Sequence, residues 1–257
     1  MKRMIVTLVL LGLVGPASAD PKWFNHWGGT GNNLWSDINN WNNGQAPLPS
    51  GLDDVYLFPN GGTGGLIQMD NTASVVGITL NSAGNTELEV VSGGNLTWTT
   101  QAWPTFGTVA GRTHTLTMSG GTLDVQAGPW FAFGNAGTGI LNMDAGLLTT
   151  SNLRIDWDTP GGSGHAYVTG GTIELTGVMR IGLNGLLDIT GGQIISRGVD
   201  DTTTLQGYIT SGHITGASLS DVYFDGTDTY VIPEPATLGL FALIGGGMVW
   251  IRKRLMI

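Results

Sequence analysis

Cysteine is absent from the 257 residues. That removes disulfides, thiolate nucleophiles and Cys-based zinc sites together. It leaves export open, because a large stacked core needs no staples. Basic side chains are scarce as well. Ten Lys and Arg stand against nineteen Asp and Glu, a net charge of −9. Lys2, Arg3, Arg252, Lys253 and Arg254 sit at the two ends. Between Asp20 and Ile232, five basic residues meet eighteen carboxylates, a balance of −13. A surface so poor in Lys and Arg cannot neutralise phosphates, which excludes nucleic acid as a partner. It also disfavours anionic polymers unless cations bridge them. Proline is modest, at ten residues, and glycine shows no three-residue period. Neither collagen nor a Pro-rich disordered chain fits.

Glycine itself is plentiful, at 43 residues, with Val, Ile, Leu and Thr between. That composition predicts many short strands joined by tight turns. The length is enough to bury a core.

Both ends carry address-like patterns. Lys2 and Arg3 form a basic region, Met4 to Val14 an apolar run, and Ala17-Ser18-Ala19 a small-x-small cleavage site. This three-part order predicts a signal peptide over 1–19, cleaved after Ala19. At the other end, Ala236 to Ile251 is an uncharged run of sixteen residues. That is short against the ~20 needed to span a hydrocarbon core. Arg252, Lys253 and Arg254 follow as a stop-transfer cluster that stays cytoplasmic. Pro233 and Pro235 set a sharp upstream boundary to the predicted transmembrane helix over 236–251.

Pro233-Glu234-Pro235, a short apolar helix and a terminal basic cluster, in that order, resemble the PEP-CTERM sorting signal of Gram-negative bacteria. The resemblance covers about the last 25 residues. It implies an exosortase as partner, with Pro233, Glu234 and Pro235 as the recognised motif. It also implies inner-membrane anchoring before processing, then delivery to the cell surface or to extracellular polysaccharide, the biofilm matrix. An ordinary single-pass anchor that is never processed is the alternative.

The body repeats. "VVSGGNLTW", "LTMSGGTLDV", "LNMDAGLLTT", "AYVTGGTIEL", "LDITGGQIIS" and "GYITSGHITG" align on a small-residue pair ending in Gly94, Gly121, Gly146, Gly171, Gly192 and Gly212. Val91, Met118, Met143, Val168, Ile189 and Ile209 form an apolar column before the pair. Leu96, Leu123, Leu148, Ile173, Ile194 and Ile214 form another after it. A fainter column holds Phe106-Gly107, Phe133-Gly134, Ile155-Asp156 and Ile181-Gly182. Such units bury nothing alone but bury a continuous core when stacked. The expectation is an all-β, parallel β-helix over 51–230, right-handed because parallel crossovers nearly always are. About eight coils fit, a rod of roughly 40 Å at about 4.8 Å per coil. An antiparallel sandwich with hairpins at the Gly pairs is the alternative fold.

The stretch 20–50 is rich in tryptophan. Trp27, Trp35, Trp41, Pro47 and Asp54 resemble the opening of autotransporter-passenger and PEP-CTERM surface repeat proteins. With Trp23 they suggest a cap on the first coil.

Chemistry is sparse. "RIDWD" offers Arg154, Asp156 and Asp158, and as a strand it would aim both carboxylates to one side. No matching cluster recurs in neighbouring rungs, so a solvated strand edge is preferred and no catalytic residue is assigned. Asp200, Asp201, Asp225 and Asp228 read as turn residues more readily than as calcium ligands. The four histidines are scattered, and no metal or other cofactor is expected. Trp98, Trp103, Trp130 and Trp157 are candidate sugar-stacking residues. The chain is therefore read as a non-enzymatic, exported surface or matrix structural protein. A polysaccharide-binding module, or a polysaccharide lyase or hydrolase, are the alternatives.

Overall fold

The structure is a computed structural model; it describes residues 22–25, 32–41, 46, 53–58, 64–80, 84–99, 103–126 and 128–233. The chain opens with β1 (Lys22–Asn25) and β2 (Asp53–Phe58). The first coil uses β3 (Gly64–Met69) and β4 (Thr72–Leu80). The next uses β5 (Asn85–Val90), β6 (Asn95–Trp98) and the short β7 (Thr105–Phe106). Then β8 (Thr113–Val125) turns a corner without breaking and is followed by β9 (Phe131–Phe133). The pattern repeats in β10 (Thr138–Thr150) and β11 (Leu153–Ile155). It repeats again in β12 (Ser163–Val168), β13 (Thr172–Leu175) and β14 (Met179–Ile181). The last coil has β15 (Gly185–Ile189) and β16 (Gln193–Ser196). α1 (Thr202–Thr210), β17 (Ile214–Thr215), β18 (Val222–Phe224) and β19 (Thr229–Val231) finish it.

This is a parallel β-solenoid with three faces. On the first face, Ile67, Leu88, Leu116, Leu141, Ala166, Leu187 and Ile214 pair rung to rung. Seven strands there define about six turns rather than eight. The count of eight fails because the stretch from Val55 to Leu80 supplies one coil, β3 and β4, and the last repeat passes into α1. β1 and β2 pair parallel one after the other ahead of β4, continuing the β4–β6–β8 ladder. At about 4.8 Å per step the stack runs roughly 29 Å.

The interior is a set of files. Met69, Val90, Met118, Met143, Val168 and Ile189 lie in register, and none is exposed to solvent. On the second face Ala73, Leu96, Leu123, Leu148, Ile173 and Ile194 do the same. On the third, Phe106, Phe133, Ile155 and Ile181 stack, with the two phenyl rings 5.4 Å apart and nearly parallel. Each such burial is worth about 1.5–3 kcal/mol relative to exposure. Outward positions are filled by Thr, Asn and Gln that bond along the stack, as Thr122 Oγ1 to Asn95 Oδ1 (2.7 Å) and Gln193 Nε2 to Thr172 Oγ1 (3.1 Å).

Corner glycines explain how a strand can turn without ending. Gly146 has φ +83°, and a Cβ there would strike the Gly120 and Gly121 carbonyls of the previous rung. Only glycine meets both demands.

Two columns shift from their sequence alignment. In the first repeat Val90, not Val91, pairs with Met118, and Gly93, not Gly94, takes the positive φ. The last repeat departs further: Ile209 lies in α1, and Ile214 pairs with Leu187 on the first face rather than with Ile194. Leu205, Tyr208 and Ile209 recur at i, i+3 and i+4, a helical spacing that outweighs the strand-like alternation. Leu205 is buried, with Tyr208 and Ile209 packed against the core.

The carboxyl-terminal end is closed by β18 and β19, which pair antiparallel, with β19 also antiparallel to β16. Arg197 secures this hairpin. It donates to Glu174 Oε1 (2.9 Å) on β13 and to Asp228 Oδ2 (2.7 Å). At the other end, the Trp35 and Gln68 amides bond to the Gln68 and Asn33 carbonyls, both at 2.8 Å, running chain along β3. Trp35 and Trp41 are buried edge to face with each other, and Trp41 with Phe24. Trp27 and the side chain of Trp23 lie outside the described residues.

Candidate functional site

The third face carries tryptophans grouped around one arginine. Thr105, Ala132, Arg154 and Arg180 follow one another in register on β7, β9, β11 and β14, alternating with the inward Phe and Ile files. Ala132 is nonetheless fully buried. The Arg154 guanidinium lies 4.6 Å from the centre of the Trp157 ring and 6.0 Å from that of Trp130. These are cation–π distances. Trp103 meets Trp157 edge to face, centroids 5.4 Å apart at 73°. Between them opens a cleft of about 260 Å³ lined by Trp103, Thr105, Asn135, Trp157 and Thr159.

Three of the four tryptophans singled out from sequence therefore converge. Trp98 does not. It occupies the interior file between Val75 and Val125, is 1% exposed, and packs against Phe131. A tryptophan inside the file reaches no ligand. In β6 the alternation of Leu96 and Trp98 with polar Asn95 and Thr97 was the available sign.

The two carboxylates of "RIDWD" are not strand residues facing one way. Asp156 and Asp158 both have positive φ, +71° and +59°, which Asp tolerates better than most residues. Asp156 is buried, and its Oδ2 accepts from the Asn184 amide (2.9 Å). Asp158 Oδ1 accepts from the Leu183 amide (2.6 Å), while Oδ2 takes Arg154 (2.9 Å). Both therefore hold the corner of the next coil. Asp156 stands where earlier coils have Gly107 and Gly134, and that equivalence was the sequence signal for its backbone geometry.

Asp225 and Asp200 likewise serve turns. Asp225 Oδ1 accepts from the Thr227 and Asp228 amides (2.8 and 2.9 Å). The Asp228 amide, then that of Thr227, holds the Asp225 carboxyl below the usual carboxylate range. Thr202 does the same to Asp200, first through its hydroxyl and then through its amide. Asp228 is lowered by the Gly198 amide and then by Arg197. Asp201 lies 3.6 Å from Arg180. Among the described residues, no group of three His, Cys, Asp or Glu side chains could hold a metal ion.

His114 is buried within the first-face file, at the Gly107 amide. His213 sets its Nδ1 3.0 Å from the Gly185 carbonyl. Pro233 is described, and buried; Ala17, Ala19, Glu234, Pro235, Arg252, Lys253, Arg254 and the 236–251 run lie outside the described residues. No helix among the described residues is long and apolar enough to cross a membrane.

The fold defines a parallel β-solenoid with an aromatic cleft on one face. Comparison with protein-family models, with curated proteins and with solved structures finds no match for this chain.

Proposed function

We propose that this chain is an exported structural protein of the cell surface or extracellular matrix, presenting a rigid acidic β-solenoid. The reading rests above all on the unbroken file from Met69 to Ile189, in which every member is shielded from water. A core of that kind fixes shape over the whole body. The leader over 1–19 and the tail over 231–257 supply the route. The tail delivers the body to an exosortase through Pro233, Glu234 and Pro235, with the 236–251 segment anchoring it in the inner membrane until processing.

The Trp35 and Trp41 cluster acts as the amino-terminal cap, and α1 with the β18–β19 hairpin as its counterpart. Right-handed winding follows the general rule for parallel crossovers. The bonds made by Asp156 and Asp158 favour the scaffold over a lyase or hydrolase. Both groups hold backbone amides, where a catalytic pair would face a substrate.

Fractionation tests this. Deleting 233–257 is expected to release the body into the periplasm or medium, while the intact chain stays with the membrane or surface. An unchanged distribution would overturn the sorting reading. The mass of the mature protein, read by mass spectrometry, tests both cleavages together.

A further inference from the structure

We infer that the third-face cleft binds a neutral, β-linked polysaccharide, one sugar ring stacked on the exposed Trp103 beside its contact with Trp157. This deepens the scaffold reading by naming a matrix partner, but its argument is local to the cleft.

Trp103 is 52% exposed, a large apolar area to leave in water. It is not loosely held. Thr105 Oγ1 donates to the Trp103 carbonyl (3.2 Å), and the Trp157 ring lies at its edge. Trp157 is in turn fixed by Arg154 over its face and by its own amide bonding to the Gly134 carbonyl (3.0 Å). Two indoles locked at a steep angle form a notch with apolar walls. Aromatic walls suit the C–H face of a pyranose ring, whose hydroxyls point outward around its rim.

The floor supplies matching polar groups. Thr159 Oγ1 donates to Asn135 Oδ1 (2.8 Å), which orients the Asn135 amide nitrogen as a donor for a sugar hydroxyl. The residues come from three successive coils: Trp103 before β7 and Thr105 within it, Asn135 after β9, Trp157 and Thr159 after β11. The cleft therefore runs along the stack. A chain-like ligand can pass through it without ending there. Its volume of about 260 Å³ falls just below the roughly 300–1,000 Å³ of clefts for drug-sized ligands, so it takes one ring at a time.

Charge selects the polymer. The only guanidinium among these groups, Arg154, is already paired with Asp158 at 2.9 Å. Among the described residues, none of those that line the cleft is a cation that could meet a uronate or sulfate. The surrounding body carries −13 between Asp20 and Ile232, from five basic residues and eighteen carboxylates, and repels polyanions. Equatorially substituted, β-linked hexoses leave their ring faces open for stacking.

The test is affinity electrophoresis of the purified full-length chain in gels containing hydroxyethylcellulose, galactomannan or polygalacturonate. Retardation is expected in at least one of the two neutral gels and none in polygalacturonate. Trp103→Ala should weaken binding roughly 3- to 10-fold, the worth of one aromatic stack. Trp103→Phe should recover most of it, and Leu183→Ala, at an exposed leucine outside the cleft, should change nothing. Thr159→Val, which removes no ring, should also weaken binding and covers the case in which Trp103→Ala lowers the melting midpoint. Absence of retardation in both neutral gels overturns the assignment. So does retardation that survives both Trp103→Ala and Thr159→Val, or stronger binding to polygalacturonate. A normal fractionation result with no glycan binding would leave the scaffold standing and remove only this site.

Discussion

Replacing Met143 by alanine probes the core at its centre. Met143 is fully buried, between Met118 on one rung and Val168 on the next. Its terminal methyl also fills the corner of the following coil, where a Cβ on Gly171 would lie 2.7 Å from it. Neighbouring rungs are tied by backbone ladders on both sides, so the hollow cannot collapse. The cost should fall at the upper part of the range for Met→Ala, about 3–5 kcal/mol. With a urea slope of about 2–3 kcal/mol/M, the unfolding midpoint drops by roughly 1–2.5 M. Met143→Leu keeps the volume and should cost under about 1.5 kcal/mol. Leu183→Ala, 80% exposed, should stay within about 0.5 kcal/mol. Met118→Ala combined with Met143→Ala should depart from additivity by about 0.5 kcal/mol or more, because the two side chains share one file. Urea titrations followed by circular dichroism measure these four and Met118→Ala alone, which completes the cycle. If Met143→Ala proves no more costly than Leu183→Ala, the stacked interior is wrong.

Two further outcomes follow from single groups. The Asp228 carboxyl is held below its ordinary value by the Gly198 amide and by Arg197, so its contribution is complete above about pH 4–5 and lost as pH falls through the lowered folded value. Arg197, raised by Glu174 and then Asp228, stays charged throughout. Asp228→Asn should therefore flatten the acid side of the stability curve, and urea midpoints between about pH 5 and 2 that fall in parallel for both proteins would contradict this. Gly146→Ala should cost at least about 1–2 kcal/mol, from its positive φ and from the Gly120 carbonyl at the added methyl. A melting midpoint equal to wild type would show that the corner has room to spare.

Much of the architecture was readable from residue columns. Met118, Met143, Val168 and Ile189 fall in one sequence column and form one file, because stacking forces equivalent positions into equivalent surroundings. Val91 and Ile209 were misplaced where that equivalence lapses. In the first repeat the corner glycine moves by one residue, and identical side chains on either side hide the shift. In the last repeat no further rung follows, so the segment answers to helical spacing instead. The cleft was half legible. Four tryptophans could be marked, but only placement inside or outside the files separates Trp98 from Trp103. The roles of Asp156 and Asp158 depend on amides of the next coil, about 25 residues on, and no local motif encodes them.

The strand that closes the second face runs against all the others. A growing stack of parallel rungs offers each newcomer the same hydrogen-bonding template, and nothing in that template says when to stop. Reversing the direction of β19 withdraws it, and β18, three residues long, offers little in its place. The length of the object is thus set by one change of sense near Thr229. Inserting a further unit ahead of Gln193 should yield a taller protein, whereas one appended beyond Val231 would find no parallel neighbour to copy.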